Sequence, residues 1–241
     1  MAAVSIVLSL MLAGAVALAM QLLQRASDAQ AREALTLQRI ERIRGALCAY
    51  HLIHNGFPDL PGRNPPTSTP LIEPANLPPG HLPPVGWANP GGAPSASLRR
   101  LGLSPDDVTD GWGRLISVRL SAACPAAADP LAVDQNGDGS GDVANACVVL
   151  ISHGRTGRGA ALPQASPAAN NLVWLPAPLA GSSPTAGEGA EWRNTRRTAS
   201  PYQTVAPQCA SDRTNPDSPC HYDDVVAWFD ALSGGGKALC R

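Results

Sequence analysis

Aromatic and charged residues are scarce in this sequence. Only 4% of its 241 residues are aromatic and 15% are charged, and the formal net charge is −1. This balance gives no electrostatic reason to expect a nucleic-acid partner. Glycine and proline together make about one residue in five, which is below the level typical of disorder. The composition therefore predicts a modest core of Val, Leu, Ile and Ala with long irregular connections.

The six cysteines include no C-x-x-C pair, which argues against a zinc ribbon or a thioredoxin-like redox site. An even number of cysteines behind an apolar N-terminus is typical of a protein from an oxidising compartment. Six cysteines allow many connectivities, so the pairing stays open. The pairs that we favour are Cys209 with Cys220, which closes a short loop, Cys124 with Cys147, which would join neighbouring strands, and Cys48 with Cys240 by elimination.

Charged side chains are absent from residues 1–24, where Ala, Val, Leu, Ile and Met dominate. About 20 apolar residues at a rise of ~1.5 Å are enough to cross the hydrocarbon core of a bilayer. A helical pattern continues past this run, because apolar residues recur at spacings of three and four. They are Leu37, Ile40, Ile43, Leu47 and Tyr50. The sequence therefore predicts one unbroken helix of about 50 residues, ending near Asn55 and Pro58.

The predicted helix divides the chain into a membrane-spanning half (1–24), an amphipathic half (25–56) and a globular head (57–241). Three interpretations of the N-terminus compete. A cleaved secretory signal needs a basic first region, but the first basic residue is Arg25. A plain signal anchor does not explain why the helix continues in register beyond the apolar run. A single helix explains both halves if the first half packs in a membrane or a fibre core and the second half lies against a globular head.

Several short motifs occur in order along nearly the whole chain. They are 44–50 (RGALCAY) and 55–58 (NGFP) at the end of the predicted helix, a turn before the first head strand at 110–114 (DGWGR), the segment 148–160 (VVLISHGRTGRGA), an E-x-x-N pair at Glu191 and Asn194, and the C-terminal segment 222–228 (YDDVVAW). Together these motifs resemble segments of type IV pilins and type II secretion pseudopilins.

The resemblance implies an α+β fold in which a long N-terminal helix packs on the small antiparallel β-sheet of a head with long irregular loops. It implies a structural subunit, not an enzyme, that assembles with other pilin or pseudopilin subunits through this helix. The subunit would first reside in the bacterial inner membrane as a single-pass protein with its head in the periplasm.

The start of the chain departs from the family pattern. Pilin precursors carry a short basic leader ending in Gly, followed by a segment like F-T-L-I-E that is cleaved and methylated. This chain opens with MAAVS, so that Ser5 stands where the family has Glu. The departure predicts either a coding start upstream of Met1 or a specialised minor subunit.

Residues 134–142 (DQNGDGSGD) form the most chemically specific stretch. They match the pattern D-x-N-x-D-G-x-G-D of an EF-hand-like loop, whose oxygen ligands converge on Ca²⁺. The alternative is a polar turn between two strands. The position of the usual bidentate Glu holds Asn145, which predicts weak affinity, of the order of 10⁻⁴–10⁻³ M. The predicted ligands of this structural Ca²⁺ are Asp134, Asn136, Asp138, the carbonyl of Ser140, Asp142 and Asn145.

The head contains few clear strand signals. Residues 114–120 alternate and predict a half-buried strand, whereas the continuous apolar run at 147–152 predicts a central one. Residues 172–175 are a weaker strand candidate, and 223–232 fit either an edge strand or a short helix. We expect irregular structure over the remainder, which is 58–98 and 194–219.

Ser152 and His153 are the residue types that a hydrolase uses as nucleophile and base. However, the sequence has no G-x-S-x-G elbow, and spacing places no acid beside the histidine. The leading hypothesis is therefore a minor pilin or pseudopilin subunit with a calcium-stabilised head loop. The alternative is a membrane-tethered periplasmic adhesin or ligand-binding module that does not polymerise.

Overall fold

The structure, a computed structural model, describes most of the N-terminal helix and the centre of the head. The described residues are 2–54, 82, 84, 101–121, 131–163, 172–176, 187–196, 201–204, 222–230 and 240, without the side chains of 2–10, 144 and 187–190. In chain order the elements are α1 (Ala2–His54), a 3-10 helix (Pro105–Val108), β1 (Ser117–Leu120), β2 (Leu131–Asp134), β3 (Val143–Ala146), β4 (Val148–Ser152), β5 (Ala161–Leu162), β6 (Val173–Trp174), α2 (Gly187–Asn194), β7 (Tyr202–Gln203) and β8 (Val225–Phe229).

Helix α1 is unbroken over 53 residues, which confirms the prediction of one long helix. At ~1.5 Å per residue it is about 80 Å long. No proline interrupts it, and an added side-chain atom at Gly14 or Gly45 would meet nothing within 4 Å. The described part of the helix extends to His54; the predicted stop signals at 55–58 lie outside the described residues.

The second half of α1 packs on the head through a narrow stripe. Thr36, Ile40, Ile43 and Leu47 recur at spacings of three and four, and all four are buried. The three apolar members belong to the same core cluster as β1, β4 and β8. Burying side chains of this size stabilises the fold by roughly 1.5–3 kcal/mol each, so tertiary packing holds this part of the helix in place.

A polar clamp lies beside this stripe, where the turn at 110–114 meets the helix. The Gly111 amide donates to Thr36 Oγ1 (2.9 Å), whose hydroxyl donates to the Arg32 carbonyl (2.8 Å). Arg39 donates to the Asp110 carbonyl at 2.9 Å. A Cβ atom at Gly111 would overlap the Arg32 carbonyl, so glycine is required for this close approach of two backbones.

The strands within the described residues form two three-stranded sheets and one two-stranded sheet, β5 with β6. The first sheet has the order β1-β4-β8 and is antiparallel throughout. The second has the order β3-β2-β7, and its pair β2–β7 is parallel. The α+β class is thus as predicted, and α1 packs on the small antiparallel sheet β1-β4-β8; the second, mixed sheet was not predicted. A parallel pair needs a long crossover, which the chain between β2 and β7 provides.

Strand β4 lies at the centre of the first sheet, as predicted. Val148 and Leu150 face the cluster that includes α1, whereas Val149 and Ile151 face a second cluster beside β2 and β7. The prediction that β1 is half-buried was wrong. All four of its residues are buried, because the first sheet has apolar clusters on both faces.

Within the segment 223–232, for which strand and helix were both open, the structure has strand β8, which pairs with β4; residues 231 and 232 lie outside the described residues. The weaker candidate at 172–175 corresponds to β6, which pairs with β5. Helix α2 was not predicted, because GEGAEWRN contains two glycines and little helix propensity. Of the segment 58–98, the structure describes only residues 82 and 84.

A disulfide bond joins Cys48 on α1 to Cys240, with 5.1 Å between the Cα atoms. This confirms the pair reached by elimination and ties the helix to a residue 192 positions away. Cys147 is also disulfide-bonded. Its predicted partner Cys124, like the predicted pair Cys209–Cys220, lies outside the described residues.

The first half of α1 projects beyond the head. Every residue from 11 to 35 is exposed, a length of about 38 Å. Within the described part of the chain, no helix combines the length and the apolar character that a bilayer crossing requires. The large apolar side chains exposed on this projecting part are Met11, Leu12, Val16, Leu18, Met20, Leu22, Leu23 and Leu35.

Two glycine substitutions, one at the clamp and one away from it, test this contact. Gly111→Ala forces a methyl group into the Arg32 backbone, so we expect it to lower the free energy of unfolding by about 1–3 kcal/mol. Gly45→Ala adds a methyl group in open space on α1. It should raise the free energy of unfolding by about 0.5–1 kcal/mol. Thermal unfolding of the full chain measures both. Equal effects of the two substitutions would contradict the clamp.

Candidate functional site

The predicted calcium loop connects β2 to β3 and is organised around one buried carboxylate. Asp134 Oδ1 accepts hydrogen bonds from the amides of Asn136 (3.0 Å) and Gly137 (2.7 Å). Its Oδ2 accepts from the Gly139 amide (2.7 Å) and from Gln203 Nε2 (2.9 Å). Asp134 therefore holds the first half of the loop in a tight curl and joins it to β7.

Two further carboxylates meet on the exposed side of the loop. Asn136 Nδ2 donates to Asp138 Oδ2 (3.1 Å) and to Asp142 Oδ1 (3.3 Å). The Ser140 hydroxyl and amide donate to Asp138 Oδ1 at 2.6 and 2.7 Å. These two hydrogen bonds lower the pKa of the Asp138 carboxyl, so it is ionised at neutral pH.

The loop fits a hard cation in part. Asn136, Asp138 and Asp142 converge, but Asn136 presents its Nδ2 to the two carboxylates, while its Oδ1 accepts from the Asp138 amide (2.9 Å). Oxygen ligands of this kind suit Ca²⁺. Asp134 is instead turned towards N–H donors of the loop and β7, and Asn145 lies exposed on β3. The structure thus brings the carboxylates of Asp138 and Asp142 together at Asn136, and calcium binding stays a prediction.

A second cluster, not predicted from the sequence, lies where α2 meets the segment before β8. We call it the acidic junction: Glu191, Asp223 and Asp224, with His153 and Asn194 beside them. Oxygen atoms of its three carboxyl groups lie within 4.8 Å of one another, and no other such group of acidic, histidine or cysteine side chains occurs among the described residues. Glu191 and Asp224 are buried.

Asn194, at the end of α2, connects the junction to its surroundings. Its Nδ2 donates to Asp224 Oδ2 (3.0 Å) and to the Gln203 carbonyl (3.1 Å), and its Oδ1 accepts from the Gln203 amide (3.0 Å). The Tyr222 hydroxyl also donates to the Gln203 carbonyl. Since Gln203 also bonds Asp134, one chain of hydrogen bonds runs from the junction to the calcium loop.

His153 joins the junction to the first sheet. Its Nε2 lies 3.0 Å from Ser117 Oγ, and its Nδ1 lies 3.9 Å from Asp224 Oδ1. Serine, histidine and aspartate are also the members of a catalytic triad. However, Ser117 and His153 are only 3% and 1% exposed, so a substrate cannot reach the hydroxyl. The hydroxyl of the neighbouring Ser152 instead donates a hydrogen bond to Asp110 Oδ2 (2.7 Å).

Burial dominates the electrostatics of the junction. It raises the pKa of Asp224 well above its ordinary value, and the negative charges of Glu191 and Asp223 raise this pKa further against the Asn194 hydrogen bond. Burial and the charge of Asp224 likewise raise the pKa of Tyr222. The phenol therefore stays neutral, and the junction disfavours full ionisation of its carboxyl groups.

Asp223 anchors the turn that follows β4. Its Oδ2 accepts from the Thr156 amide (2.7 Å) and its Oδ1 from the Thr156 hydroxyl (3.1 Å). A Cβ atom at Gly154 would overlap the Asp223 carbonyl, so glycine permits this contact. The motifs at 148–160, Glu191–Asn194 and 222–228 therefore meet in space. In the sequence, the junction was indicated by the occurrence of these three motifs in one chain. Their spacing did not show that they contact one another.

Comparison with known protein families, with curated protein sequences and with solved structures finds no match for this chain.

Proposed function

We propose that the chain is a minor pilin or pseudopilin subunit that assembles through α1 into a filament of a type II secretion or type IV pilus-like system. The observation that supports it best is the division of α1. Residues 11–35 are exposed throughout, whereas the stripe from Thr36 to Leu47 is buried on the head. One continuous helix therefore carries a folded head at one end and offers an apolar surface at the other.

The exposed apolar surface needs a partner that is not water. Leu12, Leu23 and Met11 each have more than two thirds of their surface exposed, at 68%, 70% and 69%. Contiguous apolar surface of this kind marks contacts with protein or membrane. In our proposal, the part of α1 within residues 1–24, which has no charged side chain, first resides in the inner membrane and then packs among the helices of neighbouring subunits.

The proposed role is structural and not catalytic. Among the described residues, the closest approach to a nucleophile with its base is Ser117 and His153, and both are buried. The polar network of the head instead connects α2, β7, β8 and the calcium loop. Its function in our proposal is to hold a head of short strands in one arrangement. The Cys48–Cys240 disulfide supports an oxidising location, such as the periplasm.

Ca²⁺ is the second component of the proposal. Asn136, Asp138 and Asp142 would hold the ion, which would supply positive charge between carboxylates on the exposed side of the loop. Asp134 would shape the loop through its four hydrogen bonds. The ion would stabilise the connection between β2 and β3 and take no part in chemistry.

Membrane retention tests the proposed anchor. Leu12→Arg places a charge in the middle of the apolar run, at a cost of about 2.5–3.5 kcal/mol in a bilayer. We expect more than about a tenfold loss of full-length chain from the membrane fraction. Gln38→Arg, at an exposed position beside the head, is the control and should leave retention unchanged. Equal retention of both variants would refute the anchor.

Cross-linking separates an assembly subunit from a tethered module. No described cysteine is free, so Ala19→Cys introduces a thiol on the exposed part of α1. We expect mild oxidation of membranes that contain this variant to yield disulfide-linked dimers. Adding Leu12→Arg should abolish them. Monomer alone, with retention intact, would favour the non-polymerising adhesin or ligand-binding module.

Thermal unfolding tests the calcium loop. With a dissociation constant of about 1 mM, Ca²⁺ at about 10 mM should stabilise the full chain by about 1.4 kcal/mol. This corresponds to a rise of roughly 3–6 °C in Tm. Asp138→Ala should cancel the rise, whereas Asp106→Ala, an exposed aspartate outside the loop, should keep it. A Tm that Ca²⁺ leaves unchanged would make the loop an ordinary turn.

A further inference from the structure

Three fully buried polar side chains connect the calcium loop to helix α2. They are Asp134 at the start of the loop, Gln203 on β7 and Asn194 at the end of α2, and each is 0% exposed. Gln203 Nε2 donates to Asp134 Oδ2 (2.9 Å). The backbone N–H and C=O of Gln203 are both bonded to the Asn194 side chain, at 3.0 and 3.1 Å. Gln203 therefore bonds the loop with its side chain and α2 with its backbone.

The pairing of β2 with β7 holds this connection in register. Asp134 lies opposite Gln203 in the parallel pair, and the Asp134 carbonyl accepts from the Thr204 amide (3.0 Å) and hydroxyl (3.2 Å). Strand β7 has two residues and relies on such tertiary contacts, since strands this short are not stable alone. A change in the backbone at Asp134 therefore reaches β7 directly.

Helix α2 likewise needs tertiary contacts. It has eight residues, fewer than an isolated helix requires, and two of them are glycines, which lower helix propensity. Asn194, its last residue, bonds both Gln203 and Asp224. Opening of α2 should therefore need less free energy than unfolding of the whole head.

The curl of the calcium loop depends on the same carboxylate. Asp134 accepts from the amides of three loop residues, and these bonds fix the direction in which its Oδ2 meets Gln203. When the loop opens, the carboxylate moves and the bond from Gln203 Nε2 breaks. Hydrogen bonds in a buried network strengthen one another, so this loss weakens the hold of β7 on Asn194.

We propose that the calcium loop and α2 open together, coupled through the hydrogen-bonded chain Asp134–Gln203–Asn194, and that a cation bound by the loop consequently orders α2. The coupling goes beyond the proposed function and stands without an ion, whereas its control by Ca²⁺ rests on the proposed calcium binding. Gln203 is a positioning residue, because it acts through Asp134. An ion at the loop thus controls the order of a helix whose Trp192 and Arg193 are partly exposed.

Hydrogen exchange of the full chain tests the coupling without any ion. Gly139 has a φ of 84°, so Gly139→Ala strains the loop where the residue's amide bonds Asp134. We expect opening of residues 135–142 to rise about fivefold or more, and opening of residues 187–196 to rise at least about threefold. Gly113→Ala is the matched control, with a φ of 80° and open space around it. It should leave the opening of 187–196 unchanged.

A substitution at Gln203 tests the route of the coupling. Gln203→Met keeps the length of the side chain but cannot donate to Asp134. In this background Gly139→Ala should still raise opening at 135–142 about fivefold, and it should no longer change opening at 187–196. Gln203→Asn, whose amide falls short of Asp134, serves if Gln203→Met fails to fold.

Three results would overturn the coupling. The first is unchanged opening of 187–196 when Gly139→Ala is made in the otherwise wild-type chain. The second is a rise at 187–196 that both Gln203 substitutions leave intact. The third is exchange of α2 as slow as that of β4, because α2 would then open only with the whole head.

Ca²⁺ at about 10 mM tests the control by the ion. With a dissociation constant of about 1 mM, it should slow opening about tenfold at 135–142 and at least about threefold at 187–196. Gln203→Met should confine the effect to the loop. Slower opening of the loop alone in the wild-type chain would overturn the control of α2 and leave calcium binding in place. No effect at either segment would overturn calcium binding and the control with it, while the glycine variants still decide the coupling.

Discussion

The turn at 110–114 meets α1 backbone to backbone, because Gly111 has no side chain to hold the two apart. From this contact follow the hydrogen bonds to Thr36 and from Arg39 and the register in which Ile40, Ile43 and Leu47 enter the core. The contact also sets the point at which the helix leaves the head. About 25 residues of α1 are consequently exposed, and the proposed anchoring and assembly both depend on them.

Local pattern predicted the parts of the fold that are local. The helix followed from an apolar run that continues, without proline, into apolar residues at spacings of three and four, and β4 followed from a continuous apolar run between polar loops. The burial of β1 on both faces was not predictable, since it depends on the second sheet. The parallel pair β2–β7 and helix α2 also depend on distant packing, as two-residue strands and a glycine-rich helix carry little signal of their own.

The candidate site divides in the same way. The loop at 134–142 was visible because its predicted ligands are close in sequence, and the side chains of Asn136, Asp138 and Asp142 do converge. The acidic junction draws on segments around residues 153, 191 and 223, so its members were visible only as separate motifs. Asp134 shows how the two are related. Asp134 was predicted as a cation ligand. In the structure its carboxylate accepts a hydrogen bond from the Gln203 side chain, which connects the loop with the junction.

Hydrogen exchange along α1 in the full-length chain measures most directly whether the helix and the head are one folded unit. We predict that the amides of residues 36–50 exchange as slowly as those of β4, because both sets open only when the whole head unfolds. Residues 24–31, which project beyond the clamp, should exchange faster in the absence of a membrane. Fast exchange at 36–50 beside a protected β4 would show that the helix is not docked, and the proposed assembly through α1 would lose its basis.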